Sequence, residues 1–106
     1  MEQIKPEELQ QKLEAGEALR LVDVREPAEW DICRLPGAEL KPLSQILQWQ
    51  DELQDHSGPK VIYCHHGVRS AQAVAYLHSL GVESLVNLQG GIDAWARTVD
   101  PQMAQY

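Results

Sequence analysis

Apolar positions along the chain fall into short blocks that alternate between helical and strand spacing. Leu9 and Leu13, four apart behind Pro6, give one stripe of a helix that starts at the proline and stops before Gly16. Leu19–Val24 has buried-strand character and closes on Asp23 and Arg25. Glu26–Asp31, with Pro27 in its first turn, predicts a short helix. Pro36-Gly37 builds a turn within Leu35–Ala38, and a brief strand follows through Glu39-Leu40. Ser44 is the expected cap of a helix with apolar positions at Ile46, Leu47, Trp49 and Leu53, broken at His56-Ser57-Gly58-Pro59. Val61, Ile62 and Tyr63 then predict a buried strand. From Ser70, the expected N-cap, Ala71, Val74, Ala75, Leu77 and Leu80 mark a helix that Gly81 ends. Ser84–Leu88 is the last strand, and Gln89-Gly90-Gly91 turns the chain into a helical segment bearing Ala94 and Trp95. Thr98 to Tyr106 reads as a tail that lies on the surface or frays.

Short strands alternating with helices imply an α/β domain: a parallel sheet covered on both faces. Ligands of such sheets bind at the carboxyl ends of the strands, and Cys64 falls at one. No repeat or linker divides residues 1–106, which suit a single domain able to bury one modest core. Phe is absent, so Leu, Val, Ile and the three Trp must fill that core; Trp30, Trp49 and Trp95 are assigned to core or rim packing.

Charge narrows the choice of ligand. A formal net charge of −7 and a pI near 4.9 argue against nucleic acid and anionic membrane as partners. An anionic substrate must therefore be drawn in by local positive potential, against the overall field. Met1–Glu8 has no apolar region of the secretory kind, and no apolar run approaches the ~20 residues of a membrane span. Two cysteines, Cys33 and Cys64, make no disulfide scaffold, so the expected location is a reducing cytoplasm.

The candidate chemistry lies in Val61–Ser70, where the strand ends at Cys64 and Gly67 allows a tight turn into a helix N-terminus. Amides of such a loop can turn inward as an anion nest, reinforced by the helix dipole. A thiol held there prefers the thiolate, with pKa values of roughly 3.5–7.5 known for such settings. Arg69 adds a permanent charge and a planar fork suited to an oxyanion. A buried structural cysteine is the bland alternative. It is disfavoured because Gly and Arg follow at anion-loop spacing.

Cys64, Gly67, Arg69 and Ser70 match the Cys-x-x-Gly-x-Arg-Ser/Thr loop of the rhodanese family, which the chain resembles. Leu21-Val-Asp-Val-Arg-Glu-Pro-Ala-Glu-Trp30 with Leu35-Pro-Gly-Ala38 resembles the first signature of that family, and Gly90-Gly-Ile-Asp-Ala-Trp95 its closing one. Cys33 and Arg34 stand where the family usually has Gly and His. The resemblance runs from about Ile4 to Trp95. It implies five parallel strands in the order 1-5-4-2-3, and sulfur transfer from a small sulfur-containing anion (thiosulfate or polysulfide) to a thiol or protein acceptor. Cys64 would be the catalytic nucleophile carrying a persulfide, with His65, His66, Gly67, Val68, Arg69 and Ser70 lining the substrate site.

His65 and His66 are adjacent and lack the spacing of a metal pair, so neither a metal nor another cofactor is expected. They are read either as contacts for an acceptor or as solvent-facing loop residues. Asp23 and Arg25 are expected to be a structural pair at a strand end. A sulfur carrier or binding module that acts only with a protein partner is the second reading. The end of the chain, Trp95 to Tyr106, is similar to rhodanese domains fused behind E1-like adenylyltransferases. A cysteine phosphatase is the third and is disfavoured: it needs Cys-x5-Arg, whereas Cys64 and Arg69 are Cys-x4-Arg.

Overall fold

The computed structural model describes residues 1–54 and 58–106. Five parallel strands form one sheet: β1 (Gln3–Ile4), β2 (Arg20–Asp23), β3 (Glu39–Leu40), β4 (Lys60–Tyr63) and β5 (Leu85–Leu88). Their order is β1-β5-β4-β2-β3. The helices are α1 (Pro6–Glu14), α2 (Pro27–Ile32), α3 (Ile46–Trp49), α4 (Val68–Ser79) and α5 (Gly91–Thr98). Two 3₁₀ turns, Leu43–Gln45 and Gln50–Leu53, flank α3.

Alternation along the central strands sorts the core into two layers. Leu21, Val61, Tyr63 and Leu88 point to one face, where Leu9 of α1 and Ile92 and Trp95 of α5 cover them. Val22, Ile62 and Leu85 point to the other, against Ala73, Val74 and Leu77 of α4 and Trp49 and Leu53 around α3. Cys64 continues β4 on the α4 side. None of the helices among the described residues is long and apolar enough to cross a membrane.

The five strands and their order are those the resemblance implies, although β1, with only two residues, is too short to leave a periodicity of its own. Two expectations need correction. Ser44 caps no helix: the chain enters a 3₁₀ turn after Pro42, and the Ser44 hydroxyl donates to the Glu26 carboxylate at 2.9 Å. Ser70 is not an N-cap either. Gly67 holds that position with φ 105°, so α4 begins at Val68 and Ser70 lies within its first turn. The expected break at 56–59 falls partly on residues 55–57, outside the described residues. Trp49 and Trp95 are buried, whereas Trp30 is half-buried with the Arg34 guanidinium 4.6 Å from its ring.

Candidate active site

The strand-to-helix loop wraps around the Cys64 sulfur. Gly67 adopts the left-handed conformation at φ 105°, which a side chain would strain. Its amide donates to Cys64 Sγ at 3.1 Å, and the Ser70 amide donates to the same atom at 3.3 Å. The Ser70 hydroxyl lies 3.3 Å from Sγ and donates to Asn87 Oδ1 at 2.5 Å. Asn87 Nδ2 donates to the Gly67 carbonyl at 3.3 Å, which turns Oδ1 toward Ser70. The hydroxyl proton thus points to Asn87 Oδ1, and the oxygen lone pairs face the sulfur. A thiol can donate to Ser70, whereas anionic sulfur meets two fixed amide donors and gains the hydroxyl as a third only if that proton leaves Asn87. Asn87 is a buried polar residue in β5 on the Cys64 face of the sheet, a placement that serves this network.

The first turn of α5 holds the loop from behind. The Ile92 amide donates to the Cys64 carbonyl at 2.9 Å and the Asp93 amide to the His65 carbonyl at 3.0 Å. Both carbonyls are thereby drawn outward, leaving the loop interior to amides. Such close approach requires Gly91, at φ 62°: a Cβ there would lie 2.4 Å from the His65 oxygen and 2.6 Å from the Cys64 oxygen.

Residues 5–98 match the rhodanese-like domain family. The chain belongs to that family. Among its relatives, a probable adenylyltransferase/sulfurtransferase MoeZ of Mycobacterium tuberculosis is 44% identical over 97% of this chain. The match spans only 26% of the MoeZ length, about a quarter. A sulfurtransferase of Allochromatium vinosum is 42% identical over 90% of this chain and 88% of its own. The crystal structure of a rhodanese-like domain protein from Staphylococcus aureus superposes with a TM-score of 0.83 at 35% identity, covering 90% of this chain and 91% of that one.

In this rhodanese domain Arg69 is not an unpartnered fork. Its Nη1 and Nη2 donate to Glu29 Oε2 and Oε1 at 2.7 and 2.8 Å, a bidentate pair with a carboxylate from α2. The Tyr106 hydroxyl also donates to Glu29 Oε1 at 2.8 Å and accepts from Arg25 Nη1 at 2.8 Å. The Tyr106 ring stacks on His65, centroids 3.9 Å apart and planes within 10°. The chain beyond α5 therefore lies on the surface against the site, with Met103 packed on the α1–α5 core. Arg25 and Asp23 are fully buried and paired at 2.7 Å, and Arg25 Nη2 also donates to the Cys33 carbonyl at 2.6 Å. Burial opposes the Arg25 charge, but hydrogen bonds to Asp23 and Tyr106 outweigh it and hold the guanidinium charged.

The Arg69 hydrogen bonds pull the Glu29 carboxyl from its ordinary 4.5 to about 2, against the opposing effect of burial. Glu29 in turn raises Arg69 above its ordinary value. A depressed carboxyl contributes stability that is complete above its unfolded value and fades as pH falls through the folded one. The pair should therefore stabilise the fold fully above pH 4.5 and lose that contribution as pH drops toward about 2. Acid unfolding followed by circular dichroism checks this: Glu29→Gln should flatten the loss across that window.

Of the sequence-predicted residues, Cys64, Gly67 and Ser70 form the cradle itself. His66 and Val68 are exposed and border an open groove of about 540 Å³ with Gly67, Ala71, Asn87 and Gly90. His65 lies beneath Tyr106, and burial, then the neighbouring His66, lowers its pKa. The donor atoms of His65 and His66 come within 4.8 Å of an Asp93 oxygen, a grouping that adjacency in sequence did not suggest. Asp93, however, is already paired with Arg97. Cys33 is half-buried, with Sγ 3.9 Å from Arg25 Nη1, and lies outside the cradle. Glu29, Asn87, Gly91 and Tyr106 were not singled out as site residues from the sequence. Gly91 lay within a signature quoted above, and Glu29 within another, but neither signature names the partner.

Proposed function

We propose that this domain transfers sulfane sulfur through a persulfide on Cys64. The observation that carries the reading is the pair of backbone amides and the hydroxyl converging on Cys64 Sγ at 3.1 to 3.3 Å. The sulfurtransferase names of relatives in Mycobacterium tuberculosis and Allochromatium vinosum support it. The Cys64 thiolate attacks the outer sulfur of thiosulfate; the S–S bond of the donor breaks and sulfite leaves with its electron pair. Cys64 then carries one extra sulfur as an anionic persulfide, to which the loop donors offer the stabilisation of an oxyanion hole. A thiol, a protein acceptor or, in an assay, cyanide attacks that outer sulfur and releases the thiolate. Cys64 is only 1% exposed, so a slim terminal sulfur reaches it more readily than a bulky electrophile. Polysulfide would serve by the same step. A reducing cytoplasm is the setting proposed, since it would keep Cys64 free to react.

Thiosulfate:cyanide transfer measured beside hydrolysis of an aryl phosphate tests the reading. Ping-pong kinetics with negligible phosphate release is the expected result. Appreciable phosphate release dependent on Cys64 would favour a phosphatase. Arg69→Ala should lower kcat/KM for thiosulfate by about 10- to 100-fold, because a cation is lost and Glu29 is left unpaired beside the loop. Arg69→Lys should restore part of this, since a point charge cannot reproduce the two-pronged pair. Unchanged kinetics in Arg69→Ala would remove Arg69 from the site.

A further inference from the structure

The geometry points to Glu29, pinned by Tyr106, as a specificity residue: an internal carboxylate that occupies Arg69 and disfavours doubly charged sulfur donors relative to singly charged ones. The inference rests on the sulfur-transfer reading and deepens it. Both prongs of Arg69 are spent on Glu29, at 2.7 and 2.8 Å. Two further arginines of this end of the sheet are also paired with carboxylates, Arg25 with Asp23 and Arg97 with Asp93, while Arg34 lies over the Trp30 ring, 4.6 Å from its centroid. His65 is disposed toward its neutral form. With an overall charge of −7, a donor therefore meets little net positive potential and must compete with Glu29 for the Arg69 fork.

Tyr106 determines how readily Glu29 yields. Its hydroxyl is fixed from one side by the buried Arg25 and donates on the other to Glu29 Oε1, both at 2.8 Å. Its ring is fixed by stacking on His65 at 3.9 Å. A carboxylate held at three points, by Arg69, by Tyr106 and by the Glu26 amide at 3.1 Å, cannot swing into solvent when a donor approaches. It stays facing the loop, where it repels a second negative charge on the donor. Glu29 is thus a selectivity residue acting through Arg69, and Tyr106 is a positioning residue acting through Glu29.

Thiosulfate and an aryl thiosulfonate separate donor charge from chemistry. Each gives its outer sulfur to the Cys64 thiolate by cleavage of one S–S bond; the dianion releases sulfite, the monoanion a sulfinate. Glu29→Gln keeps the shape and the hydrogen bond to the Glu26 amide but removes the charge. It should raise kcat/KM for thiosulfate by about tenfold and for benzenethiosulfonate by about threefold or less, so the ratio of the two moves. Tyr106→Phe, which keeps the stack on His65, should move the ratio the same way by a smaller factor, through KM and not kcat. A parallel measurement needs no sulfur transfer: alkylation of Cys64 in a Cys33→Ser background by anionic iodoacetate and by neutral iodoacetamide. Glu29→Gln should accelerate the anion relative to the neutral reagent. Ratios unchanged in Glu29→Gln overturn the inference, as does a shift confined to kcat. If neither donor leaves sulfur on Cys64 while the alkylation ratio still moves, the charge assignment stands and the sulfur-transfer reading fails.

Discussion

Cys64→Ser should abolish sulfur uptake and lower turnover by about a thousandfold or more, while Cys33→Ser keeps most of both. Two thiols are present, and exposure alone would favour Cys33, which is half-buried where Cys64 is buried. Hydrogen bonding reverses that order. Cys64 Sγ accepts from the Gly67 and Ser70 amides, whereas Cys33 Sγ is approached by Arg25 Nη1 at 3.9 Å, a long contact from a guanidinium already committed elsewhere. A persulfide on Cys64 keeps donors close to its charge; one on Cys33 would have no comparable set and would exchange away. Serine retains the size and hydrogen bonding of the side chain, so a folded Cys64→Ser protein isolates the nucleophile. Incubation with thiosulfate followed by intact and peptide mass spectrometry should find one added sulfur, on the Cys64 peptide. Sulfur on Cys33, or turnover persisting in Cys64→Ser, would displace the mechanism.

The parts of this site that were legible in the sequence are those built from consecutive residues. Val61 to Tyr63 announce a buried strand, Cys64 ends it, and Gly67 supplies the positive φ that starts α4. A local motif states its own geometry because few backbone paths join a strand to a helix in so few residues. What stayed hidden depends on the order of the strands. Asn87 reads as an ordinary polar residue in β5 until β5 is placed beside β4, in register with Ile62, which brings its side chain to Ser70. Glu29 looks like an exposed helix acid, with Arg69 forty positions away on another element. The end of the chain was the least legible. Nothing in Pro101 to Tyr106 has periodicity, and the anchors of Tyr106 are Arg25 and Glu29 at the β2–α2 junction and His65 in the loop after β4, all far from it in sequence. The Ser70 error had the same origin. Serine is a good N-cap by propensity, but here its amide donates to sulfur and its hydroxyl to Asn87 Oδ1, and the cap position lies back at Gly67.

Gly91→Ala should be among the most damaging single substitutions outside the cradle, and comparison with Gly37→Ala shows why. Both glycines have positive φ, 62° at Gly91 and 79° at Gly37. Around Gly37 a Cβ would meet nothing within 4 Å, so alanine there carries the backbone penalty alone, about 1–2 kcal/mol. At Gly91 the same Cβ would lie 2.4 Å from the His65 oxygen and 2.6 Å from the Cys64 oxygen, backbone atoms with no rotamer to retreat into. Relief requires α5 to withdraw, which breaks the Ile92 and Asp93 amide bonds to those carbonyls. Each lost bond to a buried acceptor costs about 1 kcal/mol or more, so a total loss of about 3–5 kcal/mol is expected. The carbonyls, once released, are free to rotate toward the sulfur, and the cradle then presents an acceptor where it needs a donor. Sulfur transfer should therefore fall by about a hundredfold or more even at temperatures where the variant remains folded. Urea unfolding and kcat/KM, measured on both variants, give the comparison. Equal stability losses at the two positions, or a Gly91→Ala protein that is destabilised yet fully active, would show that α5 does not set the loop.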